Sequence, residues 1–366
     1  VTVRRVGLLA SVLVFAGFVV ACSSDQPEAA VVVPTTAEPT TTTTAPPVLS
    51  PLTGLPAADP AGEQHPAVTV KMDNSPEARP QSGINNADLV YEMKVEGITR
   101  FSLVFHSSLV EGVGPVRSAR SSDINLVAGL STPLFAWSGA NPGVTAEVLA
   151  AARNGVLTNV SFDAAEEFYY RARGRQAPHN LYVNLPPLVS ARAPEGQGPP
   201  MPVFQYRPQG GTVGATATPT PGLSINYGNR QVVEYVWDAG RQGWDRFQVD
   251  ERHPRSESAT LDGGGVQVAP ANVVVMFTEY GVSAADSRSP RAITVGEGEA
   301  IVLTAGQAIR GRWVRPEPSQ AARLVDVAGA PILLTPGRTW VALPQTGSLV
   351  LPFDQIAADE LLAFKR

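Results

Sequence analysis

The fold is decided by residues 70 to 141. They run VKMDNSPEARPQSGINNADLVYEMKVEGITRFSLVFHSSLVEGVGPVRSARSSDINL from Val70 to Leu126, then LFAWSGANPG from Leu134. Two apolar runs, 89–95 and 99–105, read as the strands of a hairpin. The loops around them carry Lys71, Asp73, Asn74, Arg79, Asp88, Arg117, Arg120 and Asp123. Charged groups gathered on loops beside a short sheet mark a binding site.

The alternation predicts a register. Leu89, Tyr91, Met93 and Val95 share one face of the first strand, and Thr99, Phe101, Leu103 and Phe105 share one face of the second. Bringing both apolar faces together requires an odd-numbered loop, Glu96-Gly97-Ile98, which pairs Met93 with Phe101 and Tyr91 with Leu103. A two-residue turn would set Met93 against Arg100 and is rejected on this reading. Glu92, Lys94, Arg100, Ser102 and His106 then line a polar, solvated face.

Outward from this stretch, the N-terminus carries an address. Arg4 and Arg5 precede an apolar run from Val6 to Val20, and Val19-Val20-Ala21-Cys22 ends it with small residues before the only cysteine. This pattern resembles a bacterial lipoprotein signal with Cys22 as the lipidated residue. A run of about 15 residues is short for a membrane span of roughly 20. Residues 23–50, rich in Pro and Thr, read as a disordered tether. The expected location is the outer face of the cytoplasmic membrane, lipid-anchored and extracytoplasmic. The membrane is then one partner, and a cell-wall polymer or wall-synthesis protein is the expected other.

With 366 residues the chain has room for two domains. A net charge of −5 gives no basic footprint for nucleic acid. The pattern after Pro51 is strand, loop, hairpin, a loop at EGVGPVRSAR, a helix capped by Ser121 or Ser122 through Leu130, a buried strand 133–138, and a helix 145–153 closed by Asn154-Gly155. A strand at 156–162 and a short helix at 163–173 follow. Residues 51–192 therefore read as a mixed α/β layered domain and 193–222 as a Pro/Gly-rich linker. Residues 223–366 read as a β-rich domain, with a meander at 223–227, 231–237 and 244–249. The class is α+β. The two domains are separable unless the second returns strands to the sheet of the first.

VKMDNSPEARPQSG, VYEMKVEGITRF, GPVRSAR, APHNLY, GRWVRP and TPGRTWVALP resemble the YerB-like lipoprotein family. That resemblance spans residues 51 to 343 and implies a lipobox followed by two domains of unassigned function. One departure is Glu96-Gly97-Ile98, where a longer loop is expected. A further analogy is to the LytR/CpsA/Psr group, which transfers wall polymers from polyprenyl pyrophosphate. It rests on Asp88 before a strand, Arg117 and Arg120 before a helix, and the later LFAWSGANPG. The arginines lack that group's Ile-Pro-Arg-Asp context.

The chain has no nucleophile elbow, P-loop, HExxH or CxxC, and the four histidines lack ligand spacing. No cofactor or resident metal is expected, a divalent ion entering only with the transferase alternative. Arg117 and Arg120 ahead of a helix start form the best anion site. Their competing role is to brace the loop on Asp123 or Glu92. The candidate ligand-binding set is Lys71, Asp73, Asn74, Arg79, Asp88, Glu92, Arg100, Arg117, Arg120, Ser138, Asn141, His179 and Asn180. Trp313 and Trp340 read as core. Three functions compete: a non-enzymatic binder of an anionic or wall component, which the missing catalytic signature favours; a phosphoryl or glycosyl-phosphate transferase using Asp88, Arg117 and Arg120; and a wall hydrolase using Asp73, Glu92 and Glu96.

Overall fold

The computed structural model describes residues 46–228, 231–249 and 259–363, so the signal segment with Cys22, most of the tether and His253 lie outside the described residues. From Pro47 onward the chain is one compact unit. The folded body takes in the last tether residues: Leu49 bridges Pro56, and the buried Ser50 donates its hydroxyl to Glu63. Among the described residues, no helix is long and apolar enough to cross a membrane.

The centre of the unit is β1 (Val68–Met72), β2 (Leu89–Val95) and β3 (Ile98–Phe105), with β3 antiparallel to both others. Beyond β1, β4 (Leu134–Ala136) and the two-residue β5 (Thr158–Asn159) add parallel strands. On the other side of β2 lies Thr339–Leu343, in parallel, then Asn272–Met276, Gly296–Thr304, Gln307–Arg315 and Arg323–Asp326. Strands from both halves of the sequence thus form one continuous sheet. A separate antiparallel sheet contains Gly222–Asn226, Val232–Asp238 and Gly243–Val249, the expected meander, with Val350–Pro352 on its edge.

The hairpin register is the rejected one. Met93 pairs with Arg100, Tyr91 with Ser102 and Glu92 with Phe101. The turn is the two residues Glu96 and Gly97, at φ 42° and 89°, the left-handed pair of a tight hairpin turn. The reason is that both faces of the sheet are covered. Val90, Phe101, Leu103 and Phe105 pack with Leu185 and Leu188 of a helix at Leu185–Arg192 and with Leu223, Tyr235 and Trp244 of the second sheet. Leu89, Tyr91, Met93 and Val104 pack beneath Leu126 and Val127 of α1 (Ser121–Ala128) and Val144 and Val148 of α2 (Pro142–Arg153). With no wet face, each face holds a mixture of apolar and polar groups, and matching apolar to apolar loses its force. Glu92, Arg100, Ser102 and His106, expected in solvent, are buried.

Two local expectations fail for similar reasons. The segment 163–173 forms a 3-10 turn at Glu166–Phe168 and then a strand, Tyr169–Arg171, because Leu181–Val183 offers it an antiparallel partner. Helix α1 is capped at Arg120, whose N–H reaches Asp123 Oδ2 at 2.7 Å. Ser121 instead bonds Glu147 and Ser283, while Ser122 accepts the Ala292 N–H at 2.9 Å. Trp313 and Trp340 are core residues, as read.

Candidate functional site

At the turn end of the hairpin four cations converge: Lys71 at the end of β1, Arg100 early in β3, and Arg117 and Arg120 in the loop leading to α1. Alternation explains the first two. Lys71 sits opposite Ser102 and Arg100 opposite Met93, so both project onto the face beneath α1. The loop is drawn in by pairing, since Arg117 N–H donates to Lys71 O at 2.8 Å and Val116 N–H to Leu181 O at 2.7 Å. Gly114 permits that approach, because a Cβ there would meet Leu181 O at 2.7 Å and the Tyr182 ring at 2.8 Å.

Three carboxylates hold three of the cations. Lys71 Nζ donates to Asp123 Oδ1 at 2.7 Å and to Ser102 Oγ at 3.2 Å, all three groups fully buried. Burial pushes the lysine down to about 8 despite the Asp123 charge. Arg117 Nε reaches Asp73 Oδ2 at 3.1 Å. Arg120 donates from Nη2 to Glu96 Oε1 at 2.9 Å and from Nη1 to Ala119 O. Arg100 is the exception. It is 6 % exposed, and its Nε and Nη1 have no hydrogen-bond partner among the described residues. Burial, reinforced by the charges of Arg120 and Arg117 and opposed by those of Asp73 and Glu96, pushes it down to about 10, so it remains charged at neutral pH. A buried guanidinium without acceptors is costly, commonly by about 1–3 kcal/mol or more per unsatisfied group. The Nε of Arg120 is buried and unpartnered too.

Asp73 is the hub of the accessible side. Its Oδ1 accepts the Ser75 N–H at 3.0 Å, and its Oδ2 meets Nδ1 of His179 at 2.8 Å as well as Arg117. Burial pushes this carboxyl up, but the Ser75 N–H, the His179 bond and the Arg117 charge together hold it below the usual carboxylate range.

The rest of the expected set divides. Asn74 crosslinks, donating to Thr99 Oγ1 at 2.8 Å and Gln248 Oε1 at 2.9 Å, and Arg79 donates to the Asn74 carbonyl. Ser138 supports the arginine loop by donating its N–H to Arg117 O. Asn141 is the cap of α2, accepting the Val144 N–H at 2.8 Å. Asn180 braces its own loop through Arg171 and Arg175. The side chains of Asn74, Arg79, Asn141 and Asn180 thus make bonds within the fold, and Ser138 acts through its main chain.

Two expected residues lie elsewhere. Asp88 accepts the N–H groups of His106 and Ser107 at the far end of β3, about five residues or roughly 16 Å along the strand from Arg100. It therefore does not join Arg117 and Arg120 as the transferase reading required. Glu92 is fully buried on the opposite face and accepts from Thr99, Arg246 and Trp340 Nε1. It cannot form a solvent-facing carboxylate pair with Asp73 and Glu96. Neither guanidinium pairs with Asp123 or Glu92; Asp73 and Glu96 take that role, while Asp123 holds Arg120 through its main-chain N–H. Ser75, Ser102 and Asp123 complete the site; the sequence marks Asp123 as one of the loop charges and Ser102 as part of the hairpin's polar face, but gives no sign of Ser75.

Fold and site together define an α+β protein built on one large mixed sheet, with a cluster of four cations at the turn end of its central hairpin. Residues 52–197 match the N-terminal domain, and residues 223–341 the C-terminal domain, of the family described as protein of unknown function DUF3048. The chain belongs to this YerB-like family. It is 29% identical over 302 residues, 80% of its own length and 85% of the relative's, to a Bacillus subtilis (strain 168) protein that bears the name "Putative lipoprotein YerB". The crystal structure of YerB protein from Bacillus subtilis superposes with a TM-score of 0.68 at 24% identity, covering 83% of this chain and 99% of that one, and so shares the fold.

Proposed function

We propose that this protein is a lipoprotein anchored through Cys22 on the outer face of the cytoplasmic membrane, where its body binds an anionic ligand of phosphate or carboxylate type, such as a cell-wall component. The anchor reading is supported by the lipobox-like segment before Cys22 and by the name of the relative. The binding reading is carried by Arg100, a buried, charged guanidinium whose Nε and Nη1 have no acceptor among the described residues, flanked by Arg117 and Arg120. Arginine forks suit phosphate and carboxylate oxygens, and each charge-assisted hydrogen bond contributes about 1.5–3 kcal/mol. Exclusion from bulk water strengthens these contacts.

Thermal shift with phosphate, pyrophosphate and citrate tests this. The melting temperature should rise with at least one of them, and the rise should vanish in Arg117→Ala/Arg120→Ala while the fold is kept. No shift with any anion, together with a large loss of stability in the double variant, would make the arginines structural.

A further inference from the structure

Asp73 does more than brace Arg117. A carboxylate on Nδ1 of His179 keeps the proton of the neutral ring at that nitrogen and leaves the lone pair on Nε2. The imidazole is 20% exposed, and Nε2 has no hydrogen-bond partner among the described residues. Ser75 Oγ lies 3.1 Å from the same Nδ1, so the serine is on the wrong edge of the ring to be activated as a nucleophile. What remains is an oriented base whose carboxylate is shared with Arg117, one arginine of the cation cluster. Asp73 is the charged group in contact with the ring, and Arg117 and Arg100 act in turn on Asp73.

We propose that His179, oriented by Asp73, is a general base for attack of water on a phosphoanhydride held by Arg100 and Arg117. This rests on the anion-site reading and adds a reaction to it. The water oxygen forms a bond to one phosphorus, and the bridging P–O bond breaks. Its electron pair leaves with the departing phosphate, while the proton of the water passes to Nε2 and then to solvent. Asp73 stabilises the imidazolium formed. The substrate class follows from what surrounds the ring. Arginines keep their protons, and Asp73 and Glu96 are engaged in ion pairs. A departing phosphate needs no proton and is stabilised by guanidinium groups, whereas an alcohol leaving a phosphate ester would require a donor.

The test uses the full-length protein in detergent with three probes: inorganic pyrophosphate, ADP, and geranyl diphosphate as the lipid-linked arm. Each is assayed for binding by calorimetry and for phosphate release, with and without magnesium. His179→Asn is the variant, because its amide nitrogen takes the place of Nδ1 and can still donate to Asp73 while Nε2 is lost. Wild type should release phosphate from at least one probe. Release with geranyl diphosphate alone would identify a lipid-linked substrate, and release with ADP a soluble one. His179→Asn should keep wild-type melting and pyrophosphate affinity, lose roughly 10²–10⁴-fold in kcat, and lose the rise of rate with pH. Binding without release from any probe overturns this inference and leaves the anion site standing. Equal rates in wild type and variant also overturn it. Absence of binding overturns both.

Discussion

Replacing Glu92 by Gln probes the contact that ties the two halves of the sequence together. Arg246 donates to Glu92 Oε1 at 2.7 Å with both side chains fully buried, and its guanidinium lies 4.7 Å from the Trp340 ring centroid and 5.2 Å from that of Phe101. Glu92 accepts from Thr99 and Trp340 as well. Glutamine keeps the shape but turns one accepting oxygen into a donor, aimed at Arg246 or Trp340, which are donors themselves. It also strips Arg246 of its counter-charge. Breaking a buried pair from one side costs about 3–5 kcal/mol. At roughly 2.1 cal/mol/K of unfolding entropy per residue, a body of about 320 residues should lose about 4–7 °C in Tm. Calorimetry measures it. Glu92→Leu/Arg246→Met, which removes both charges, should cost clearly less than the sum of the two single changes. Because Glu92 lies on β2 and Arg246 on Gly243–Val249, the whole transition should shift as one. A Glu92→Gln protein that melts with the wild type, or in which only part of the transition moves, would refute the shared core.

Other outcomes are open to direct measurement. Asp73, held below its ordinary value of 3.8, contributes stability that is present above that value and lost as pH falls through its lower folded value. Asp73→Asn should therefore melt lower than wild type at neutral pH, and the gap should close at the acid end of a pH series of melting curves. Limited proteolysis should nick the irregular stretch after Arg192, yet the fragments should co-elute on gel filtration, because Thr339–Leu343 lies between β2 and Asn272–Met276. Cys22→Ala should move the protein from the membrane to the soluble fraction, since anchoring needs acyl chains; unchanged retention would point to the apolar run 6–20 as a span.

The hairpin, α2 with its Asn154-Gly155 end, and the meander were legible in the sequence because each is a local pattern closed by a turn or cap. The register of β2 with β3 was not, since it depends on what covers each face. A one-residue difference moves every side chain to the other face, and the usual guide, one wet face, is missing here. Insertion of Thr339–Leu343 beside β2 joins residues some 250 apart in sequence, which no local pattern encodes. The helix Leu185–Arg192 hides behind Leu-Pro-Pro, an opening that reads as a turn although prolines suit a first helical turn. At the site, the loops and residue types were visible, whereas the pairing was not. Arg117, Arg120 and Arg100 look alike in sequence, and only the positions of Asp73 and Glu96 decide which one lacks a partner. Asn141 stands in the sequence among the candidate ligand groups, yet Asn-Pro ahead of a helical run is a cap signal, and the cap is what it forms.

Arg100→Met most directly tests the claim that the buried guanidinium is there for a ligand. Methionine fits beside Met93 and removes a charge that burial and two neighbouring arginines disfavour more than Asp73 and Glu96 favour it. Calorimetric titration with pyrophosphate, paired with a melting curve, reads both consequences. Wild type should bind, and Arg100→Met should fail to bind while melting at the same temperature or higher. A variant that melts lower, from a wild type that binds no anion, would contradict it and make Arg100 a structural residue.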